Sequence, residues 1–317
     1  MNSDSRVEHF VTLFDNKFLP MGLCLHYSLM EHVQPFHLWI LCMDEEVENQ
    51  LKRLCLSHVT LIALSSVETE ELLAVKKERT RGEYCWTLTP FTPQVVFDLD
   101  EKVERVTYLD ADLFFFDSPQ KLFDEFDASG KSVLITEHGY APEYEQALVH
   151  GRFCVQFMTF RRSDPGMKVM KWWQERCLEW CYAKVENDKF GDQKYLDVWP
   201  EIFINDVHVL SQVEKTLAPW NVRYFSRISG KLHPVFFHFH GLRIVSNREI
   251  LLYIGYRIGS RGLYFYDEYV MVMKKSFETM KSIGITIPVI PRIESWPWLR
   301  RLKRSLMGIV NYVTYGD

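Results

Sequence analysis

The chain has 317 residues, 47% of them hydrophobic, 15% aromatic and 25% charged. That is ample apolar surface for a packed core and rules out a disordered or collagen-like chain; at ~150 residues per domain, the length fits two units or one large α/β unit. Thirty-seven Lys and Arg against 42 Asp and Glu give a formal net charge of -5, which argues against a nucleic-acid partner held by backbone electrostatics.

The N-terminus runs from Met1 through Arg6 straight into an apolar run, without the basic, apolar and small-residue regions of a secretory signal. No stretch approaches the ~18 uninterrupted apolar residues of a membrane span. Seven cysteines, at 24, 42, 55, 85, 154, 177 and 181, form no disulfide framework. The expectation is therefore a reducing, cytoplasmic setting. Cys177 and Cys181 stand four apart on a predicted helix with no second pair at zinc spacing, so they read as buried structural thiols.

Phe10 to Phe14 is a compact apolar strand, followed by apolar residues at helical spacing from Met21 to Leu29. Phe36 to Met43 predicts a second strand, Glu45 to Leu56 a polar-faced helix and Val59 to Leu64 a third strand. Continuous apolar strands of this kind belong to a parallel α/β sheet covered on both faces. Residues 66 to 84 read as helix plus surface loop. Pro90 and Pro93 suit first turns of helices better than helix interiors. Val106 to Leu109 is a strand by composition; further strands are expected at Ser132 to Glu137 and Gln156 to Arg161, a long helix from Gly166 to about Lys184, and a last core strand from Val235 to His240.

The chemistry concentrates where the Val106 to Leu109 strand meets Asp110-Ala111-Asp112. Between 98 and 127 most acidic side chains read as solvated, but Asp110 and Asp112 lie among apolar neighbours. In an extended chain, residues two apart share a face, so both carboxylates can converge at the carboxyl end of a strand, the edge where open α/β sheets bind ligands. Two close, desolvated carboxylates repel, and a divalent cation relieves this; hard oxygen ligands suit Mg²⁺ or Mn²⁺ and leave positions for substrate phosphates. The competing reading is an acidic turn after a strand. His238 and His240 precede Gly241, and each reads either as a core histidine or as a metal ligand.

The run Tyr108-Leu109-Asp110-Ala111-Asp112-Leu113-Phe114 resembles the metal site of nucleotide-sugar-dependent glycosyltransferases with the GT-A fold, especially the family 8-like group of glycogenin and bacterial lipopolysaccharide glycosyltransferases. Three further segments match in order. Phe10 to Asn16 resembles the first strand and turn, where Thr12, Asp15 and Asn16 would hold the base and ribose. Phe190-Gly191-Asp192-Gln193 resembles the pair beside the sugar and reaction centre. His238-Phe239-His240-Gly241 resembles a late His-x-x-Gly, in which His238 would complete the metal site and Gly241 let backbone approach the diphosphate. The sequence departs from the family where an Asn-x-Gly is replaced by Cys154-Val155-Gln156, and where the usual Lys-Pro-Trp is missing, leaving Arg243 as the nearest cation for phosphates.

The resemblance implies an α/β fold of GT-A type: a Rossmann-like, mostly parallel central sheet flanked by helices in residues 1–245, with a helical, basic C-terminal extension in residues 246–317. It also implies a metal-dependent transferase, retaining by resemblance only, with Mn²⁺ or Mg²⁺ as cofactor, a nucleotide-sugar donor (a UDP-sugar favoured) and a saccharide or lipid-linked acceptor in bacterial surface polysaccharide synthesis. Asp192 and Gln193 are the candidate catalytic residues, stabilising charge on the sugar or acting as a base; Asp192 also reads as a helix N-cap. Trp172, Trp173 and Trp180 read as core and interface packing, and Pro219-Trp220-Asn221 as a cleft lining. Five basic residues between Arg292 and Arg304, beside Trp296 and Trp298, read either as a peripheral anchor of residues 292–317 on an anionic membrane's inner face or as a helix packed on the domain. A noncatalytic nucleotide-sugar binder and a haloacid dehalogenase-type phosphotransferase are the alternatives.

Overall fold

The computed structural model describes residues 6–290, 305, 308 and 310–315. A seven-stranded sheet forms the centre. Its strands are β1 (Glu8–Phe14), β2 (Phe36–Cys42), β3 (Val59–Ala63), β4 (Arg105–Leu109) and, after the short β5 (Leu113–Phe115) has left for a second sheet, β6 (Val133–Glu137), β7 (Phe153–Arg161) and β8 (Val207–Val209). The order is β3-β2-β1-β4-β7-β6-β8. Only β7 runs against the others. The sheet is thus mostly parallel, as expected.

Alternation along the strands builds one core on each face. Phe10 and Phe14 of β1 pack on one side with Leu38 and Ile40 of β2, while Val11 and Leu13 pack on the other with Trp39, Leu41 and Val106. Side chains of successive strand residues point to opposite faces, and helices cover both, which explains why β1 and β2 read as unbroken apolar runs. Prolines sit where the sequence suggested: Pro93 lies in the first turn of the helix Thr92–Leu99.

The second sheet, β5-β10-β9, is small. In it β10 (Phe236–His238) runs antiparallel to β5 and parallel to β9 (Thr216–Leu217). A third sheet joins β11 (Arg243–Ser246), β12 (Glu249–Ile254) and β13 (Val310–Thr314) as an antiparallel meander. The 23-residue helix Ser260–Ser282 lies on the helix Leu19–His32, where the Tyr27 hydroxyl donates to Thr279 Oγ1 at 3.0 Å.

Three expectations change in detail. The long helix is Asp164–Glu179, ending before Lys184. The late strand stops at His238, so His240 falls in an exposed turn rather than continuing the strand beside His238. The C-terminal segment is not wholly helical: β-branched and aromatic residues at 310–314 pair with the open edge of β12. The basic residues 292–304 lie outside the described residues.

Candidate active site

The carboxyl ends of the parallel strands carry the chemistry. Asp15 follows β1, Asp44 follows β2 and Asp110 follows β4, and β1 lies between β2 and β4. The chain runs from β1 outward through β2 to β3 and then crosses back to β4 on the other side of β1, which makes this the switch-point crevice where open α/β sheets take ligands.

Asp110 and Asp112 meet by a different route from the strand alternation expected. β4 ends at Leu109, and Ala111 and Asp112 form a turn closed by the Leu113 N–H donating to the Asp110 carbonyl at 3.1 Å. The turn delivers both carboxylates to one place. β5 then pairs with β10 so that Leu113 faces His238, and the Phe239 N–H donates to the Asp112 carbonyl at 2.9 Å. This register brings His238 Nε2 to 3.1 Å from Asp112 Oδ1 and 3.7 Å from Asp110 Oδ2. One ligand atom from each of the three residues lies within 4.8 Å of the others.

The charges are strongly coupled. Burial pushes the Asp110 carboxyl up, His238 opposes this and Asp112 adds to it, so that it titrates at about 6. Burial also acts to raise Asp112, but the charge and hydrogen bond of His238 outweigh it, with His240 and Arg243 assisting, and hold this carboxyl well below the usual range. Burial disfavours the His238 cation, yet the paired acids raise its pKa well above the ordinary value. In the ligand-free chain a proton on His238 therefore balances part of the acidic charge. Two carboxylates and one imidazole with converging lone pairs are a donor set that suits Mg²⁺ or Mn²⁺, which would take that proton's place.

The other sequence candidates distribute around this centre. Asp192 is buried, its Oδ2 has no hydrogen-bond partner among the described residues, and Trp173 Nε1 donates to its backbone carbonyl at 2.9 Å. The N-cap of the following short helix is Gln193, so the capping reading of Asp192 falls. Gln193 donates its amide to the His150 carbonyl at 2.7 Å. Gly191 has φ +53°, and a Cβ there would lie 3.3 Å from the Trp86 ring, so torsion and space both require glycine. Gly241 has φ +81°, but a Cβ would meet nothing within 4 Å; backbone conformation alone asks for glycine there. Arg243 lies over the Phe18 ring, 5.2 Å from its centroid, and its charge reaches Asp112.

Thr12 is fully buried on β1, its hydroxyl without a partner. Asp15 and Asn16 form a separate polar cluster: Arg81 Nε lies 2.8 Å from Asp15 Oδ2 and also pairs with Asp44, while Asn16 Nδ2 donates to Glu46 at 2.6 Å. No hydrogen bond or ion pair among the described residues joins that cluster to the acidic pair. Arg81 and Asp44 escaped the sequence reading; Asp44, an N-cap whose carboxylate accepts from the Val47 N–H at 2.7 Å, carried only a helix-start signal. Trp220, offered as a cleft residue, is buried and meets the His238 ring edge-on at 5.5 Å.

A family model described as Glycosyl transferase family 8 matches residues 9–221. The chain belongs to that family. It is a glycosyltransferase, which sets the phosphotransferase alternative aside, and transferases of this kind use nucleotide-sugar donors and divalent metals. Over 256 residues this family 8 member is 34% identical to the uncharacterized protein YfnF of Bacillus subtilis, covering 76% of this chain and 84% of that one. Mouse xyloside xylosyltransferase 1 superposes with a TM-score of 0.50 at 15% identity, covering 74% of this chain and 98% of that one. The galactosyltransferase LgtC, in complex with donor and acceptor sugar analogues, superposes with a TM-score of 0.50 at 13% identity, covering 88% and 97%. At such identities these structures establish the GT-A fold and nothing finer.

Proposed function

We propose that this glycosyltransferase moves a sugar from a nucleoside-diphosphate donor, a UDP-sugar by resemblance, to a saccharide or lipid-linked acceptor in bacterial surface polysaccharide synthesis. The observation that carries the reading is the convergence of Asp110, Asp112 and His238 at the carboxyl edge of the sheet. The 34% identical relative comes from a bacterium, which supports the bacterial part of that reading.

Breaking the bond between the anomeric carbon and phosphate leaves negative charge on the diphosphate and positive, oxocarbenium-like charge on the sugar. Asp110, Asp112 and His238 would hold a Mn²⁺ or Mg²⁺ ion, which would supply stabilisation of the former. Arg243 adds a fixed positive charge on the same side, and Gly241 shapes the backbone that follows His238. Asp192 and Gln193 face the sugar in this reading: an unpaired carboxylate oxygen stabilises the developing cation, with retention of configuration. Thr12, Asp15 and Asn16 receive the base and ribose, the ribose hydroxyls competing with Arg81 for Asp15. Residues 1–245 make the transferase, and residues 246–317 extend it, with 292–317 as the segment that meets an anionic membrane surface on the cytoplasmic side.

The test is a thermal-shift screen of UDP-, GDP-, CMP- and dTDP-sugars with and without Mn²⁺. A ligand at 100 times its Kd stabilises the folded state by about 2.7 kcal/mol, and one nucleotide class should show this with Mn²⁺ only. Asp112→Ala should abolish the shift while the protein stays folded. Undiminished donor binding by that variant, or no response to any nucleotide, refutes the assignment.

A further inference from the structure

Gln156 lies at the centre of β7 with no exposed surface. Its main chain and side chain reach two different ligands of the acidic cluster. The backbone carbonyl accepts from the Asp110 N–H at 3.0 Å, and the side-chain Oε1 lies 2.8 Å from His238 Nδ1, 82 residues away in sequence. The amide nitrogen of the same side chain has no partner among the described residues.

Burying a carboxamide among apolar neighbours costs free energy unless it is hydrogen-bonded. The position has no exposed surface, so a leucine or methionine would satisfy packing alone at lower cost. Among the described residues the side chain's one hydrogen bond is to the imidazole. An acceptor oxygen at Nδ1 requires the N–H on that nitrogen, which leaves Nε2, the atom turned to the two aspartates, to present its lone pair to an incoming cation.

We propose that Gln156 is a positioning residue that fixes the tautomer and ring orientation of His238 toward Asp110 and Asp112. The proposal rests on the metal reading of that cluster. Gln156 touches neither sugar nor phosphate in this role; it acts through the imidazole, and its backbone carbonyl holds the acidic turn at the same depth.

The experiment is a Mn²⁺ titration of the full chain without nucleotide, followed by the electron paramagnetic resonance signal of free Mn²⁺. Loss of an outer partner of a metal-ligating histidine weakens metal binding about 10–100-fold, and Gln156→Met should do so. Gln156→Met relieves an unpaired N–H₂ but leaves the His238 Nδ1–H without its acceptor, so its metal-free melting temperature is measured beside the titration to show that the variant stays folded. Gln156→Glu, which keeps an acceptor at Nδ1, should restore Mn²⁺ affinity to within roughly threefold of the wild type. A folded methionine variant with wild-type Mn²⁺ affinity overturns the proposal, as does a Glu variant no better than Met. Should Gln156→Met fail to fold, Gln156→Asn, whose shorter amide does not reach Nδ1, takes its place under the same criteria. Absence of Mn²⁺ binding by the wild type, or wild-type affinity in Asp112→Ala, would instead sink the metal reading itself.

Discussion

Burial, and after it the charge of Asp110, push the Asp192 carboxyl up to about 8, and one of its oxygens is unpaired. A carboxyl in that state is costly unless a ligand uses it. Asp192→Asn preserves shape and hydrogen bonding but cannot become an anion, so kcat should drop by about 10²-fold or more while Mn²⁺ affinity and melting temperature hold; an active Asn variant would remove Asp192 from the chemistry. Asp15→Ala should act on the other half of the donor, weakening nucleotide binding by about tenfold through loss of a charge-assisted hydrogen bond, ~1.5 kcal/mol, with Mn²⁺ titration unchanged. What was legible at this scale was local. Asp110 and Asp112 stand in a run whose acids interrupt apolar neighbours, and that contrast survives in one dimension. Gln156 was visible only as a departure from the family's residue types, because its meaning lies in a contact with His238 across 82 positions. Arg81, in a charged stretch, gave no sign that it would bridge Asp15 and Asp44.

Elements were readable where one physical signal dominated. Unbroken apolar runs yielded β1 and β2, and the helix Asp164–Glu179 carries Ser163 at its N-cap, accepting from the Gly166 N–H at 3.3 Å. Ser163 also donates to Ser132 Oγ at 3.0 Å, tying the cap to the start of β6. Ser163→Ala should cost about 1 kcal/mol in urea unfolding, and a larger loss would show that the Ser132 link matters more than the cap. The helix then buries Trp173, which packs against Phe160 and Trp199 and reaches Asp192 through its indole N–H. The two-residue turn between β4 and β5 was misread as extended chain. Nothing in Asp-Ala-Asp distinguishes a strand from a turn; the choice is made by β10 pairing with β5, a partner that arrives only at residue 236. β13 was missed for the same reason, since a five-residue strand is specified by the edge it completes.

At the scale of the whole molecule, partly buried His9 and buried His138 should contribute to the response to acid. His9 is lowered to about 4, chiefly by burial and then by neighbouring His37, and His138 to about 3, chiefly by burial. Both folded values lie below the unfolded value near 6.5, so their contribution to stability is complete above that pH and is lost as pH falls from there toward 4. A His9→Gln, His138→Phe double variant should lose less urea resistance between pH 7 and pH 4.5 than the wild type; an equal loss would place the acid sensitivity elsewhere. No helix of the described residues is long and apolar enough to cross a membrane. Vesicles of anionic lipid should sediment the full chain and not one ending at residue 291; equal sedimentation would dispose of the proposed basic anchor. His238 closes a cluster whose acids stand far earlier in the chain, in the turn between β4 and β5. During synthesis the acidic turn emerges long before its imidazole, so a growing or prematurely ended polypeptide carries two mutually repelling charges with nothing to quiet them. On the proposed metal reading, competence for the donor waits until the second sheet has assembled, and fragments stopping short of residue 238 should neither capture Mn²⁺ tightly nor consume activated sugar.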